Sequence, residues 1–114
     1  MNSMLHSILH STLQIPSDTQ VAVVLGSISD FDVMKSCFTT FKAFNIPFVA
    51  HILSAHRSHD ALHQFLHQVE PSSIKIIIAA AGSAAHLAGV IASKTILPVI
   101  GIPLSGSPHH GLDA

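Results

Sequence analysis

The amino-acid sequence predicts an α/β fold in which a parallel sheet is covered by helices on both faces. Short apolar runs rich in valine and isoleucine recur along the chain, and stretches with helical spacing of apolar residues lie between them. Glycine, proline or serine marks most of the junctions. Strands that alternate with helices in this way are typical of right-handed crossovers between parallel strands.

Four segments are predicted to be strands buried in the sheet. The first is VAVVL, residues 21–25, which stops at Gly26. The next three are PFVAHIL (47–53), IKIIIAA (74–80) and PVIGI (98–102). Each run is short, apolar and bounded by turn residues, as expected of a strand that contacts helices on both faces.

The first helix is predicted between Ser29 and Phe44. Ser29 is expected to be its N-cap, with Asp32 three residues later, and Asn45 and Pro47 are expected to end it. Its apolar positions recur at helical spacing and comprise Val33, Met34, Cys37, Phe38, Phe41 and Phe44.

Two more helices complete the predicted pattern. One begins at a Ser58 cap, ends at Pro71 and has an apolar stripe made of Leu62, Phe65, Leu66 and Val69. A shorter helix is predicted from Ala84 to Ser93. The four-strand pattern closes in GSPHHGLDA with no further predicted helix, so we expect the last strand and one face of the sheet to be poorly covered.

The composition excludes several classes of partner. The 114-residue chain has 5 basic and 6 acidic residues and a net charge of −1, so it lacks the basic surface that nucleic acid or an anionic membrane requires. No apolar run approaches the ~20 residues that span a bilayer. The single cysteine, Cys37, can form neither an internal disulfide nor a cysteine-based zinc site, which favours a reducing cytoplasm and a small core residue.

We expect residues 1–20 to form an N-terminal extension that precedes the α/β domain. These residues contain no lysine or arginine, so they lack the basic segment of a secretory signal. Pro16, Ser17 and Asp18 mark a break before the first strand.

Residues that can carry chemistry are concentrated where the predicted strands end. The four segments are GSISD (26–30), SAHRS (54–58), AGSAAHLAG (81–89) and PLSGS (103–107). Ligands of open parallel sheets bind beyond the carboxyl ends of the strands, so these segments predict a small-molecule site. GSISD lacks the lysine of a phosphate-binding Walker loop, and AGSAAHLAG does not match the dinucleotide-binding glycine pattern.

Arg57, the only arginine, follows His56 in the second of these segments. An arginine can hold a phosphate through two hydrogen bonds, and a neighbouring imidazole can exchange protons near neutral pH. One short segment is therefore suited to both binding and acid/base catalysis. The alternative, in which Arg57 pairs with a nearby carboxylate such as Asp60, stays open at this point.

The other histidines have simpler interpretations. His59, His63 and His67 recur every four residues, a spacing that can hold a metal, but without an evident carboxylate partner they are interpreted as a solvated helix face. His51 lies within a predicted strand, where packing accounts for it. His86 is left as the second candidate at a strand end.

Taken together, the four segments resemble the PurE family of carboxyaminoimidazole ribonucleotide mutases, class I type. The resemblance runs from about Val21 to the C-terminus and is carried by GSxSD, SAHR, AAHLAG and PVIGIPL in that order. It implies a flavodoxin-like three-layer αβα sandwich and a cytoplasmic homo-octamer. The implied reaction moves a carboxyl group from the exocyclic nitrogen to the ring carbon of the ribonucleotide in purine biosynthesis, without metal, ATP or organic cofactor.

The resemblance also implies roles for individual residues. His56 matches the general acid/base of the family. The implied substrate-binding residues are Ser27 and Asp30 near the ribose and phosphate, Ser54 and Arg57 on the phosphate, and Gly82, Ser83, His86 and Leu87 along the pocket.

Some positions depart from the family pattern. Ser83 stands where a second glycine is usual, Ala88 where proline is usual, and Ser58–His59 where Thr-Pro is usual. Family members continue past the position of Ala114, so the domain over residues 21–114 is expected to be incomplete at its C-terminal end. AAHL favours the mutase, and the alternatives are an inactive or fragmentary ribonucleotide-binding module and the related aminoimidazole ribonucleotide carboxylase.

Overall fold

A four-stranded, all-parallel sheet organises the fold. The structure is a computed structural model, and it describes residues 15–53, 59–82 and 86–104. The strands are β1 (Val21–Leu25), β2 (Phe48–Ile52), β3 (Ile76–Ala81) and β4 (Val99–Pro103). Their order across the sheet is β2-β1-β3-β4, so the predicted α/β class with a parallel sheet is confirmed, and the order is that of a flavodoxin-like fold.

The described helices lie between successive strands. They are α1 (Ser29–Val33), α2 (Lys35–Ala43), α3 (His59–Val69) and α4 (Leu87–Ala92). The predicted apolar stripe of α3 is confirmed, because Leu62, Phe65, Leu66 and Val69 are all buried. The Ser58 cap and the first residues of the predicted third helix, Ala84 and Ala85, lie outside the described residues.

Alternating strand residues divide the core between the two faces of the sheet. On one face, Ala22 and Val24 of β1 belong to a cluster that includes the apolar sides of α3 and α4. On the other face, Val23 and Leu25 belong to a cluster with Phe31 of α1, Phe38 of α2 and Met34 between these helices. The sheet is thus covered on both faces, which explains why its strands are almost continuously apolar.

The predicted first helix is two helices separated at Met34. The Met34 N–H bonds to the carbonyls of both Asp30 and Phe31, each at 3.1 Å, and its ψ angle is close to zero. A donor shared between these two carbonyls is common at helix ends, where the last turn tightens. The predicted Ser29 N-cap is wrong. Ile28 occupies the N-cap position, and no side chain caps α1.

The predicted apolar stripe of this region was partly wrong. Val33 and Phe44 are 58% and 71% exposed, whereas Phe31, which the stripe omitted, is buried. The positions that reach the sheet follow Phe31 at i+3 and i+7, namely Met34 and Phe38. Phe38 in turn stacks on the ring of Phe48 in β2, with the two ring centroids 5.2 Å apart.

The C-terminal end of α2 and the outer edge of the sheet agree with the predictions. Asn45 has a φ of 55°, the left-handed conformation in which asparagine often ends a helix. At the edge strand β4, Ile100 is 47% exposed, so the described residues leave part of one sheet face uncovered. None of the described helices has the length and apolar character needed to cross a membrane.

His51 is buried completely between β2 and α3. Its ring packs on Phe65 with the centroids 4.6 Å apart, and neither ring nitrogen has a hydrogen-bond partner among the described residues. Burial lowers the pKa of His51 from 6.5 to about 4, because the charged imidazolium loses its hydration there. The predicted packing role therefore comes with a sensitivity to acid.

We predict that His51 makes the fold less stable as the pH falls from about 6.5 to about 4. In this window the unfolded chain binds a proton at residue 51 and the folded chain does not, so the free energy of unfolding decreases by about 3 kcal/mol. Urea unfolding at several pH values measures this slope. His51→Leu should flatten it, and the exposed control His63→Gln should not; an unchanged slope in His51→Leu would contradict the assignment.

Candidate functional site

The carboxyl ends of the four strands meet at one edge of the sheet. Backbone hydrogen bonds continue across this edge beyond the strands themselves. The Leu53 N–H donates to the Leu25 carbonyl at 2.9 Å, and the Leu104 N–H donates to the Ala81 carbonyl at 3.1 Å. The four strands therefore end at one edge of the sheet as predicted, and the second predicted segment, SAHRS (54–58), lies outside the described residues.

The strand order reverses between β1 and β3, at the centre of this edge. From β1 the chain crosses to β2 on one side, whereas from β3 it crosses to β4 on the other side. Connections that leave adjacent strands in opposite directions open a crevice between them, and this is where open α/β sheets bind ligands. Gly26 and Gly82 are the first residues beyond β1 and β3.

Both glycines are closely packed by backbone or small side chains. A Cβ atom on Gly26 would lie 3.2 Å from the Ala81 Cβ, and one on Gly82 would lie 3.0 Å from the Leu104 carbonyl oxygen. The Gly26 N–H also donates to the Ala80 carbonyl at 3.2 Å. The small residues hence let neighbouring backbones approach at the bottom of the crevice.

The segment after Gly26 forms a turn closed by Asp30. The Ser27 N–H donates to Oδ2 of Asp30 at 3.0 Å, and the Asp30 N–H donates to the Ser27 carbonyl at 3.1 Å. The Ser27 and Ser29 hydroxyl oxygens are 2.8 Å apart. Ser27 is exposed and Asp30 half-buried, so the turn presents hydroxyls and a carboxylate in a fixed arrangement at the rim of the crevice.

On the β3 side, His86 and Leu87 begin α4. His86 is the N-cap residue, and its side chain is exposed and makes no capping hydrogen bond. The Leu87 side chain is buried in the core beside Ile91, so only its backbone is available to a ligand. A neutral imidazole such as that of His86 can act as both a hydrogen-bond donor and an acceptor.

The structure brings together part of the predicted site. Ser27, Asp30, Gly82 and His86 lie at the predicted edge of the sheet. The remaining predicted residues lie outside the described residues and are Ser54, His56, Arg57 and Ser83. Gly26 and Leu104 lie within the predicted segments GSISD and PLSGS, but their close packing at this edge was not predicted, although a glycine directly after a buried strand is a signal of close approach.

Metal binding and a reactive thiol are two other kinds of chemistry to consider in the described part of the chain. Among the side chains of residues 15–53, 60–82 and 86–104, no three from histidine, cysteine, aspartate or glutamate are grouped to hold a metal ion. Burial raises the pKa of the half-buried Cys37 thiol, which disfavours the reactive thiolate and agrees with the predicted packing role.

A family model described as AIR carboxylase matches residues 20–114. The chain belongs to the AIR carboxylase family. This match covers β1 to β4 and all four strand-end segments. The resemblance noted from GSISD, SAHR, AAHLAG and PVIGIPL is confirmed by it.

Curated relatives in this family carry the name N5-carboxyaminoimidazole ribonucleotide mutase. The chain is 42% identical to the Haemophilus influenzae protein over 95 residues, which are 83% of this chain and 58% of the relative. The identity is 43% over 94 residues with the Pyrococcus horikoshii protein and 41% over 95 residues with the Escherichia coli K12 protein. These matches cover 53% and 56% of the two relatives, so the chain spans little more than half of their length.

The contact at Gly82 gives a test of how tightly the crevice is packed. We predict that Gly82→Ala lowers the free energy of unfolding by about 1–3 kcal/mol, because the added methyl group must displace the Leu104 backbone. Gly89→Ala is the matched control, since a Cβ there has no neighbour within 4 Å and α4 gains a better helix former. Urea denaturation compares the two variants, and equal stabilities would contradict the close contact.

Proposed function

We propose that the chain is a carboxyaminoimidazole ribonucleotide mutase, or the part of one that holds the substrate pocket. The proposal rests mainly on the family match over residues 20–114, together with identities above 40% to proteins named as mutases of this substrate. The reaction moves a carboxyl group from the exocyclic nitrogen to the ring carbon of the ribonucleotide in purine biosynthesis.

The crevice between β1 and β3 is the proposed binding site for the ribose and phosphate. The fixed turn of Ser27 and Asp30 offers hydroxyl and carboxylate groups to the sugar. Ser54 and Arg57 are proposed to hold the phosphate, because a guanidinium binds its oxygens through two hydrogen bonds. Gly82, Ser83, His86 and the Leu87 backbone are proposed to line the pocket.

His56 is the proposed general acid and base. It donates a proton to the exocyclic nitrogen of the carbamate, and the nitrogen–carbon bond breaks to give carbon dioxide and aminoimidazole ribonucleotide. The ring carbon then attacks the carbon dioxide, and His56 removes the proton from that carbon. His56 thus regains the proton that it donated, and the rearrangement consumes no ATP and no other reactant.

Retention of the carbon dioxide is the main physical requirement of this mechanism. A closed pocket makes the recapture step effectively intramolecular, which removes the entropic cost of bringing two molecules together. The small residues at the bottom of the crevice, Gly26, Ala81 and Gly82, favour close contact between the ligand and the backbone.

The proposed assembly and location follow the family resemblance. We propose a homo-oligomer, an octamer by resemblance, in a reducing cytoplasm. The partly uncovered face at Ile100 favours association, because exposed apolar residues at a sheet edge tend to be buried between subunits. Residues 1–20 are proposed as an extension to the α/β domain of residues 21–114.

We predict that the purified chain converts carboxyaminoimidazole ribonucleotide to its ring-carboxylated isomer, and that His56→Asn reduces turnover by about 10²–10⁴-fold. The loss is expected because asparagine cannot exchange the proton. Product formation is followed by absorbance, and the exposed His63→Gln serves as a histidine control with unchanged turnover.

Three outcomes of this assay distinguish the candidate functions. Turnover without added bicarbonate supports the mutase. Product that requires aminoimidazole ribonucleotide and bicarbonate identifies the carboxylase instead. Binding without turnover identifies a ribonucleotide-binding module.

The turn at Asp30 gives an independent prediction for binding. Asp30→Ala should weaken binding of aminoimidazole ribonucleotide at least about tenfold, because the Ser27 turn loses a hydrogen bond to a charged acceptor. Asp32→Ala is the matched control, since Asp32 pairs with Lys35 at 3.0 Å on the exposed side of α1. Calorimetric titration measures both, and equal affinities would remove Asp30 from the site.

A further inference from the structure

Two histidines form a contact pair on the exposed face of α3. The Nε2 atoms of His63 and His67 are 3.2 Å apart, and their rings meet edge to face with centroids 4.6 Å apart. Both side chains are exposed, and the opposite side of the helix is fixed in the core by Phe65 and Leu66. The two nitrogens are therefore held close together on a backbone that does not need to rearrange.

The separation of these nitrogens fits a single transition-metal ion. With the metal–nitrogen distance of about 2.0–2.1 Å that is usual for histidine, a nitrogen separation of 3.2 Å gives a nitrogen–metal–nitrogen angle of about 100–106°. This angle lies between the ideal angles of tetrahedral and octahedral coordination. We propose that His63 and His67 form a surface site for a borderline divalent cation such as Zn²⁺, Ni²⁺ or Cu²⁺.

The charges along α3 favour a cation at this position. Asp60 lies one turn before His63 and Glu70 one turn after His67, and both are exposed. The segment from residue 59 to residue 70 contains no lysine or arginine. Imidazole nitrogens prefer these borderline metals to Mg²⁺ or Ca²⁺, which prefer oxygen ligands.

The site is open, with water completing the coordination. Among the described side chains, which on this helix begin at Asp60, no third metal-binding group joins the two histidines, so the ion exchanges readily. Both rings must be neutral to bind the metal through Nε2, so protons compete with the metal for these nitrogens. The bound ion would link two successive turns of α3 and stabilise the helix, since the nitrogens are close only in the folded state.

Calorimetric titration of the whole chain with ZnCl2 and with NiCl2 at pH 7.5 tests the site. We expect saturable binding of one ion, and at least about a tenfold weaker affinity in His63→Gln and in His67→Gln, because even an outer-shell partner is typically worth 10–100-fold. MgCl2 should give no binding. The metal should raise the melting temperature of the native chain and not that of His63→Gln/His67→Gln.

Other histidine pairs in the sequence supply matched controls. His6→Gln/His10→Gln and His109→Gln/His110→Gln each remove two histidines, as the α3 double variant does, and both should retain native affinity for the metal. Circular dichroism without metal checks that the α3 variants are folded, which is expected because glutamine is a good helix former. Loss of binding in a control pair but not in the α3 variants would overturn the proposal, as would absence of saturable binding.

Discussion

The parallel pairing of β1 with a strand on each side is the constraint on which the rest of the structure depends. Val21 lies opposite Phe48 of β2 and opposite Ile76 of β3, so the three strands begin in register. Because all connections return to the same end of the sheet, helices must cover its faces, and the four carboxyl ends must meet at one edge. The two halves of the core and the crevice both follow from this pairing.

The same constraint explains why small residues surround the crevice. Adjacent parallel strands place the backbones of Gly26 and Ala81 beside each other, and β4 brings the Leu104 carbonyl against Gly82. Larger side chains at these glycines would separate the strand ends. The polar side chains instead occupy the rim, where the Ser27 N–H donates a hydrogen bond to the Asp30 carboxylate. The Ser27 and Asp30 side chains are thus positioned directly beside the end of a strand rather than in a long loop.

Three environments give the histidines of this chain different chemistry. His51 is enclosed between a strand and a helix, where desolvation lowers its pKa and favours the neutral ring. His63 and His67 lie on the solvent side of the same helix, close enough to share a proton or a metal ion. His86 begins a helix at the edge of the crevice, where a ligand can reach it. Residue type alone does not distinguish these roles.

The sequence by itself determined the kinds of element, their order and the edge at which the polar segments gather. These properties depend on local periodicity and on turn residues, which is why the four strands and the stripe of α3 were predicted correctly. Tertiary structure decided the strand order and the break between the helices at Met34. It also decided that Phe31 is buried in the core whereas Val33 and Phe44 are exposed. Burial depends on contacts between residues far apart in the chain, and local spacing does not contain that information.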